Sequence, residues 1–119
     1  MILDQADLEE LVSMAKRGLN PDLTPKDYSH RNPVLDFCAE HLAQLYFPTV
    51  TNVHLALEGN QEARKRLPKI LNQIGFISGV IGRISQLEGG NEPSVYSGFN
   101  TDEGNQIDIF LEKIGYIKN

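Results

Sequence analysis

Between Leu67 and Leu87 the chain repeats large aliphatic residues with the period of a helix. Leu67, Ile70, Leu71, Ile74, Ile77, Ile81 and Ile84 follow one another at 3, 1, 3, 3, 4 and 3 residues, which lays them along one helical face. Phe76, Val80 and Leu87 widen that face with a second apolar line. A helix greasy on more than one side belongs at the centre of a bundle or against a second subunit. Pro68 places the regular start near Leu67, with Gln61–Arg66 as a separate turn. With 119 residues there is room for one core around this helix, so 1–119 is read as a single helical domain.

Three further helices can lean on it. Leu8, Leu11, Val12, Ala15 and Leu19 form a stripe for a helix near 5–17, with Asp4 as its cap, Asp7, Glu9 and Glu10 early and Lys16 and Arg17 late. That charge order suits the helix dipole, and Gly18 with Asn20-Pro21 ends the run. After a proline-rich loop at 20–33, where Thr24-Pro25 can open a short turn to Tyr28, Asn32 and Pro33 start a second helix near 33–46. Its inward stripe is Val34/Leu35, Cys38, Leu42, Leu45 and Tyr46, and Pro48 is its expected end. The segment 47–57 is ambiguous. Val53, Leu55 and Leu57 alternate as in a strand, whereas Val53, Ala56 and Leu57 share a helical face. A lone strand needs a partner for its backbone donors, which tips the reading toward helix or irregular chain.

Gly59-Asn60 closes that element, and Gly89-Gly90-Asn91 closes the third helix, expected over 67–88. A turn-rich link at 91–101 carries Tyr96 and Phe99. Ile107, Phe110, Leu111 and Ile114 then mark a fourth helix near 102–114, capped by Thr101 and stopped by Gly115. The fold class is all-α: a small bundle of four main helices.

Composition narrows the function by subtraction. A net charge of −5 disfavours generic binding to nucleic acid or to an anionic membrane. Asn72, Gln73, Ser78, Arg83, Ser85 and Gln86 interrupt the most apolar stretch, so no transmembrane span is expected. The start Met1-Ile2-Leu3-Asp4-Gln5 lacks the basic residues and apolar run of a secretory signal, and a cytoplasmic setting is expected. A single cysteine, Cys38, allows no intrachain disulfide and no cysteine-cluster zinc site.

Reactive side chains are few. Cys38 and His41 stand three apart on one helix, so with His54 they could contribute sulfur and nitrogen ligands to a metal, or act as a nucleophile and its base. The same thiol belongs to the apolar stripe with Leu42 and Leu45, where it serves as a small hydrophobe. His30 reads as a loop residue. No phosphate-binding loop and no repeated carboxylate motif is present, and no cofactor is expected.

Two features point to surfaces instead. Gly75 and Gly79 lie one turn apart and, with Gly82, run against helix propensity at about 1 kcal/mol each relative to alanine. With Phe76 and Val80 they could admit a close neighbour, either within the chain or in a homodimer. Arg64, Lys65, Arg66 and Lys69 form a basic run in an acidic chain, suited to an acidic partner surface. These features favour a non-catalytic protein–protein interaction or regulatory protein, of adaptor or immunity type, that self-associates. The alternatives are a metal binder or small enzyme built on Cys38, His41 and His54, and a nucleic-acid accessory protein using Arg64–Lys69.

Overall fold

The computed structural model describes residues 3–18, 32–88 and 101–117. The expected turn at Thr24–Tyr28, His30, the Gly89-Gly90 stop, and Tyr96 and Phe99 lie outside the described residues. Four helices follow in order: α1 (Gln5–Gly18), α2 (Pro33–Leu57), α3 (Gln61–Leu87) and α4 (Thr101–Lys113), with no strand among the described residues. The fold is all-α.

Local chemistry sets most of the helix ends. Asp4 accepts from the Asp7 N–H at 2.8 Å at the start of α1. Asn32 Oδ1 accepts from the N–H groups of Val34 (2.9 Å) and Leu35 (3.2 Å), with Pro33 occupying a first-turn position that needs no N–H. Gly59, at φ 95°, turns the chain out of α2, and Asn60 immediately caps α3 by accepting from Ala63 N–H. Gly115, at φ 85°, does the same for α4, so that Tyr116 and Ile117 donate back to the Leu111 carbonyl.

Two expectations fail at prolines. Pro48 does not end α2, which runs on to Leu57, and Pro68 does not delay α3, which begins at Gln61. Each proline withholds the donor for a carbonyl four residues earlier, on Gln44 or Arg64, and both residues face solvent. Water can serve those carbonyls. Side chains also bond the backbone around Pro48: Thr49 Oγ1 donates to Leu45 O at 2.6 Å and Asn52 Nδ2 to Pro48 O at 2.7 Å. The ambiguous segment 47–57 is therefore helical, and α2 with α3 makes one long antiparallel hairpin.

That hairpin has two unlike halves. In the first, the start of α2 and the end of α3 meet α1 and α4 in a core of Leu8, Leu11, Ala15, Val34, Cys38, Phe76, Ile77, Val80, Ile84, Ile107, Phe110 and Leu111. Phe76 and Phe110 meet edge-on at 5.6 Å. Leu3 backbone groups exchange two hydrogen bonds with the Gln106 amide, 2.9 and 2.7 Å, and Arg83 forks onto Asp108 from α3 to α4. The helix α1 leans on α2 and α4, while α3 is flanked by α2 and α4. The second half of the hairpin extends past this body as an arm. The molecule measures 50 × 29 × 25 Å with a radius of gyration of 15.4 Å, against about 13.5 Å for a compact chain of this length.

Candidate interaction surface

Along the hairpin, Leu42, Leu45, Thr49, Asn52 and Ala56 of α2 are buried or half-buried and spaced 3, 4, 3 and 4, the seam spacing of packed helices, which marks the side of α2 toward α3. Two cross-links fix the register: His41 Nε2 lies 3.3 Å from Gln73 Oε1, and Arg66 Nη1 donates to Asn52 Oδ1 at 3.2 Å. Pro48 and Pro68 consequently fall at nearly the same level, where the arm leaves the body.

One step round α2 from the seam lies a second apolar line: Tyr46, Val50, Val53 and Leu57, spaced 4, 3 and 4, with Phe47 beside it. These side chains are open to solvent, Tyr46 at 63%, Phe47 at 75% and Leu57 at 80%, with Val50 and Val53 partly so. The sequence spacing places Tyr46 in the inward stripe, and the structure corrects this. The continuation of α2 past Pro48 assigns that role to Leu45 and Thr49 and turns Tyr46 outward. On α3, Leu71 was expected on the core stripe and is instead half-exposed. In an antiparallel pair, residues one step beyond the seam on each helix lie on the same side, because each step rotates by about 100° and the helices run oppositely. Leu71 follows Ile70, and Arg64 follows Ala63, just as Tyr46 follows Leu45. The outer face of the arm therefore combines Tyr46, Val50, Val53 and Leu57 with Leu71 and Arg64. Lys65, a further step on, is exposed on the side of α3 away from α2.

On the opposite side of the hairpin, α1 lies against the first half of α2. There Phe37 stacks on His41 at 5.8 Å, and these two with Met14, Arg17, Glu40 and Gln44 line an open groove of about 200 Å³ between α1 and α2. His41 is buried. Its Nδ1 has no hydrogen-bond partner.

The residues singled out from sequence are scattered among these surroundings. Phe76 and Val80 are sealed in the core, Gly79 is buried and Gly75 half-buried, so the aromatic and aliphatic parts of that expected interface serve the chain's own packing. Arg64, Lys65, Arg66 and Lys69 are all exposed on the first turns of α3. Arg64 Nε donates to Ala56 O at 3.3 Å, and Lys65 lies 3.9 Å from Glu62. Cys38, His41 and His54 are not brought together: His54 stands on the exposed arm, about 24 Å along α2 from Cys38 by helical rise. No group of three or more His, Cys, Asp and Glu among the described residues could hold a metal ion. Burial pushes the Cys38 thiol up to about 12, which leaves it protonated and unreactive near neutrality.

The apolar arm face was within reach of the sequence. Its 4, 3, 4 spacing is visible once Pro48 is allowed inside a helix. Among the described residues, no helix is long and apolar enough to cross a membrane. No family model, no curated protein and no solved structure matches this chain.

Proposed function

We propose that this chain is a non-catalytic protein-interaction domain, with the α1–α4 body as scaffold and the outer face of the α2–α3 arm as the binding surface. One observation carries the reading: a helical stripe of large apolar side chains, Tyr46 to Leu57, faces solvent outside the packed core of the described residues. Contiguous apolar surface of this kind marks sites that another molecule covers. Aromatic side chains on it are the types that dominate binding energy when buried in an interface. The reactive inventory points the same way, since Cys38 is buried and held protonated.

The test is site-specific photo-crosslinking in cells that express the chain. A photoreactive residue replacing Tyr46 should give discrete covalent adducts, and the same residue replacing the exposed Glu10 of α1 should give none. Equal labelling at both positions, or none at Tyr46, would sink the reading.

A further inference from the structure

The stripe's surroundings narrow the partner. From His41 to Gly75 the sequence holds two acids, Glu58 and Glu62, against four bases, Arg64, Lys65, Arg66 and Lys69, while the remainder carries fourteen acids and seven bases. The arm is thus the cationic part of an anionic molecule. Between Val50 and Leu57 α2 has no acid at all. Beside the stripe Arg64 stands exposed on α3, with Lys65, Arg66 and Lys69 exposed on the same turns of that helix.

We propose that the arm's outer face binds an amphipathic helix of another protein, one whose apolar stripe is flanked by glutamate or aspartate. This rests on the interaction reading above and adds the chemistry of the partner. The 4, 3, 4 spacing of Tyr46, Val50, Val53 and Leu57 is the spacing of a seam that packs against a helix. Charged residues flanking such a seam select the partner by sign. Arg64 borders this one, and Lys65, Arg66 and Lys69 add positive charge from the same turns of α3, so a helix with acidic flanks is favoured and one with basic flanks repelled.

A second copy of the chain fits less well. Outside the arm, the only exposed large hydrophobic residues described are Leu87 and Ile109, which make no stripe for the arm to meet. Two arms face to face would set bases against bases. A lipid surface fits less well again, because the turn at the arm's end is the polar Glu58-Gly59-Asn60, with Glu62 exposed next to it. Nucleic acid would use the bases and leave the apolar stripe uncovered.

The experiment uses the full chain and two synthetic three-heptad peptides, each with leucine at the seam positions, one with glutamate on both flanks and one with lysine there. Fluorescence anisotropy should show the glutamate peptide binding more than about tenfold tighter than the lysine peptide, with the advantage shrinking as salt rises. Val50→Asp with Val53→Asp should abolish binding of the glutamate peptide. Arg64→Glu with Lys65→Glu should reverse the preference, an outcome that unfolding cannot imitate. Binding of neither peptide, or a preference unmoved by the charge reversal, overturns the acidic-helix proposal. So does light scattering that gives twice the chain's mass, the mark of a second copy on the face. Co-sedimentation with vesicles of mixed phosphatidylserine and phosphatidylcholine, without peptide binding, overturns it in favour of a membrane. In each of those cases labelling at Tyr46 decides separately whether the broader interaction reading survives.

Discussion

Phe76 and Phe47 lie on the two helices of one hairpin and live in opposite surroundings. Phe76 is 1% exposed, edge-on to Phe110 in the body, while Phe47 is 75% exposed on the arm with the Tyr46 ring beside it. Both belong to long helices of ordinary geometry, so local structure does not separate them. What differs is the number of layers. In the body α1 and α4 close over the hairpin, and in the arm nothing described does. A ring in the first setting holds the fold together, and a ring in the second is available to a partner.

The sharpest way to break this contrast is to shorten the buried ring. Phe76→Ala should cost about 3–5 kcal/mol, which is a large share of the stability of a domain this size. Urea denaturation followed by circular dichroism would read it. A loss under about 1 kcal/mol would mean the body is loosely packed and the distinction between body and arm is false.

A second test uses the buried thiol. The folded chain holds Cys38 protonated to about 12, against an ordinary 9.0, because burial penalises the thiolate. An acid raised in this way stabilises the fold fully below its ordinary value. Between pH 9 and 12 the unfolded chain gives up its proton while the folded chain keeps it, so stability falls as pH rises. The slope attributable to one group approaches about 1.4 kcal/mol per pH unit. Cys38→Ala should remove this component of the alkaline decline, and alkylation of Cys38 at neutral pH should require unfolding. Rapid alkylation of the native protein would contradict its place in the core.

Where the hairpin is anchored, one residue has two duties. Asn32 caps α2 through Oδ1, while its Nδ2 donates to Glu88 at 2.6 Å and to the Tyr116 hydroxyl at 3.1 Å. Tyr116 in turn donates to Glu88 at 2.9 Å. Loss of the cap alone costs about 1 kcal/mol, and Asn32→Ala should exceed that because it also releases the far end of α3. Asn32→Asp separates the two duties, since the carboxylate still caps the helix but meets Glu88 with like charge. If Asn32→Asp costs almost nothing while Asn32→Ala costs only the cap, the bonds to Glu88 and Tyr116 contribute little. Burial, with Glu88 alongside, raises the Tyr116 phenol above its ordinary 10.0, although the Asn32 bond lowers it. Its contribution is therefore also lost as pH climbs past 10.0, and Tyr116→Phe should flatten that part of the decline.

These anchor points were legible in the sequence because capping is local: Asp4, Asn32, Asn60 and Gly115 each act within a few residues of themselves. The core face of α3 was legible for a related reason, since helical spacing alone brings Ile77, Val80 and Ile84 together. Pro48 and Pro68 were misleading because a local rule, the missing donor, was weighed without the seam that carries both helices past them. Packing against the facing helix outweighs one lost hydrogen bond when water can reach the orphaned carbonyl. The exposure of Tyr46 and Leu71 was beyond any single-helix argument. Apolar spacing says that a residue can be covered, and only the arrangement of α1 and α4 says which ones are.

The smallest expected effect is also the most discriminating for the arm. Phe47→Ser and Leu57→Ser remove large apolar groups at 75% and 80% exposure, and such surface changes alter stability by no more than about 0.5 kcal/mol. Removing apolar surface from water offsets the modest loss of contact with neighbours such as Tyr46. The two variants should therefore unfold with the wild type in urea while losing the photo-crosslinked adduct formed from position 46. If either instead costs more than about 1 kcal/mol, the face is already covered within the chain, and the arm belongs to the core after all. If both leave stability and adduct unchanged, the binding energy lies elsewhere on the stripe, and Val50 and Val53 at its centre become the residues to change.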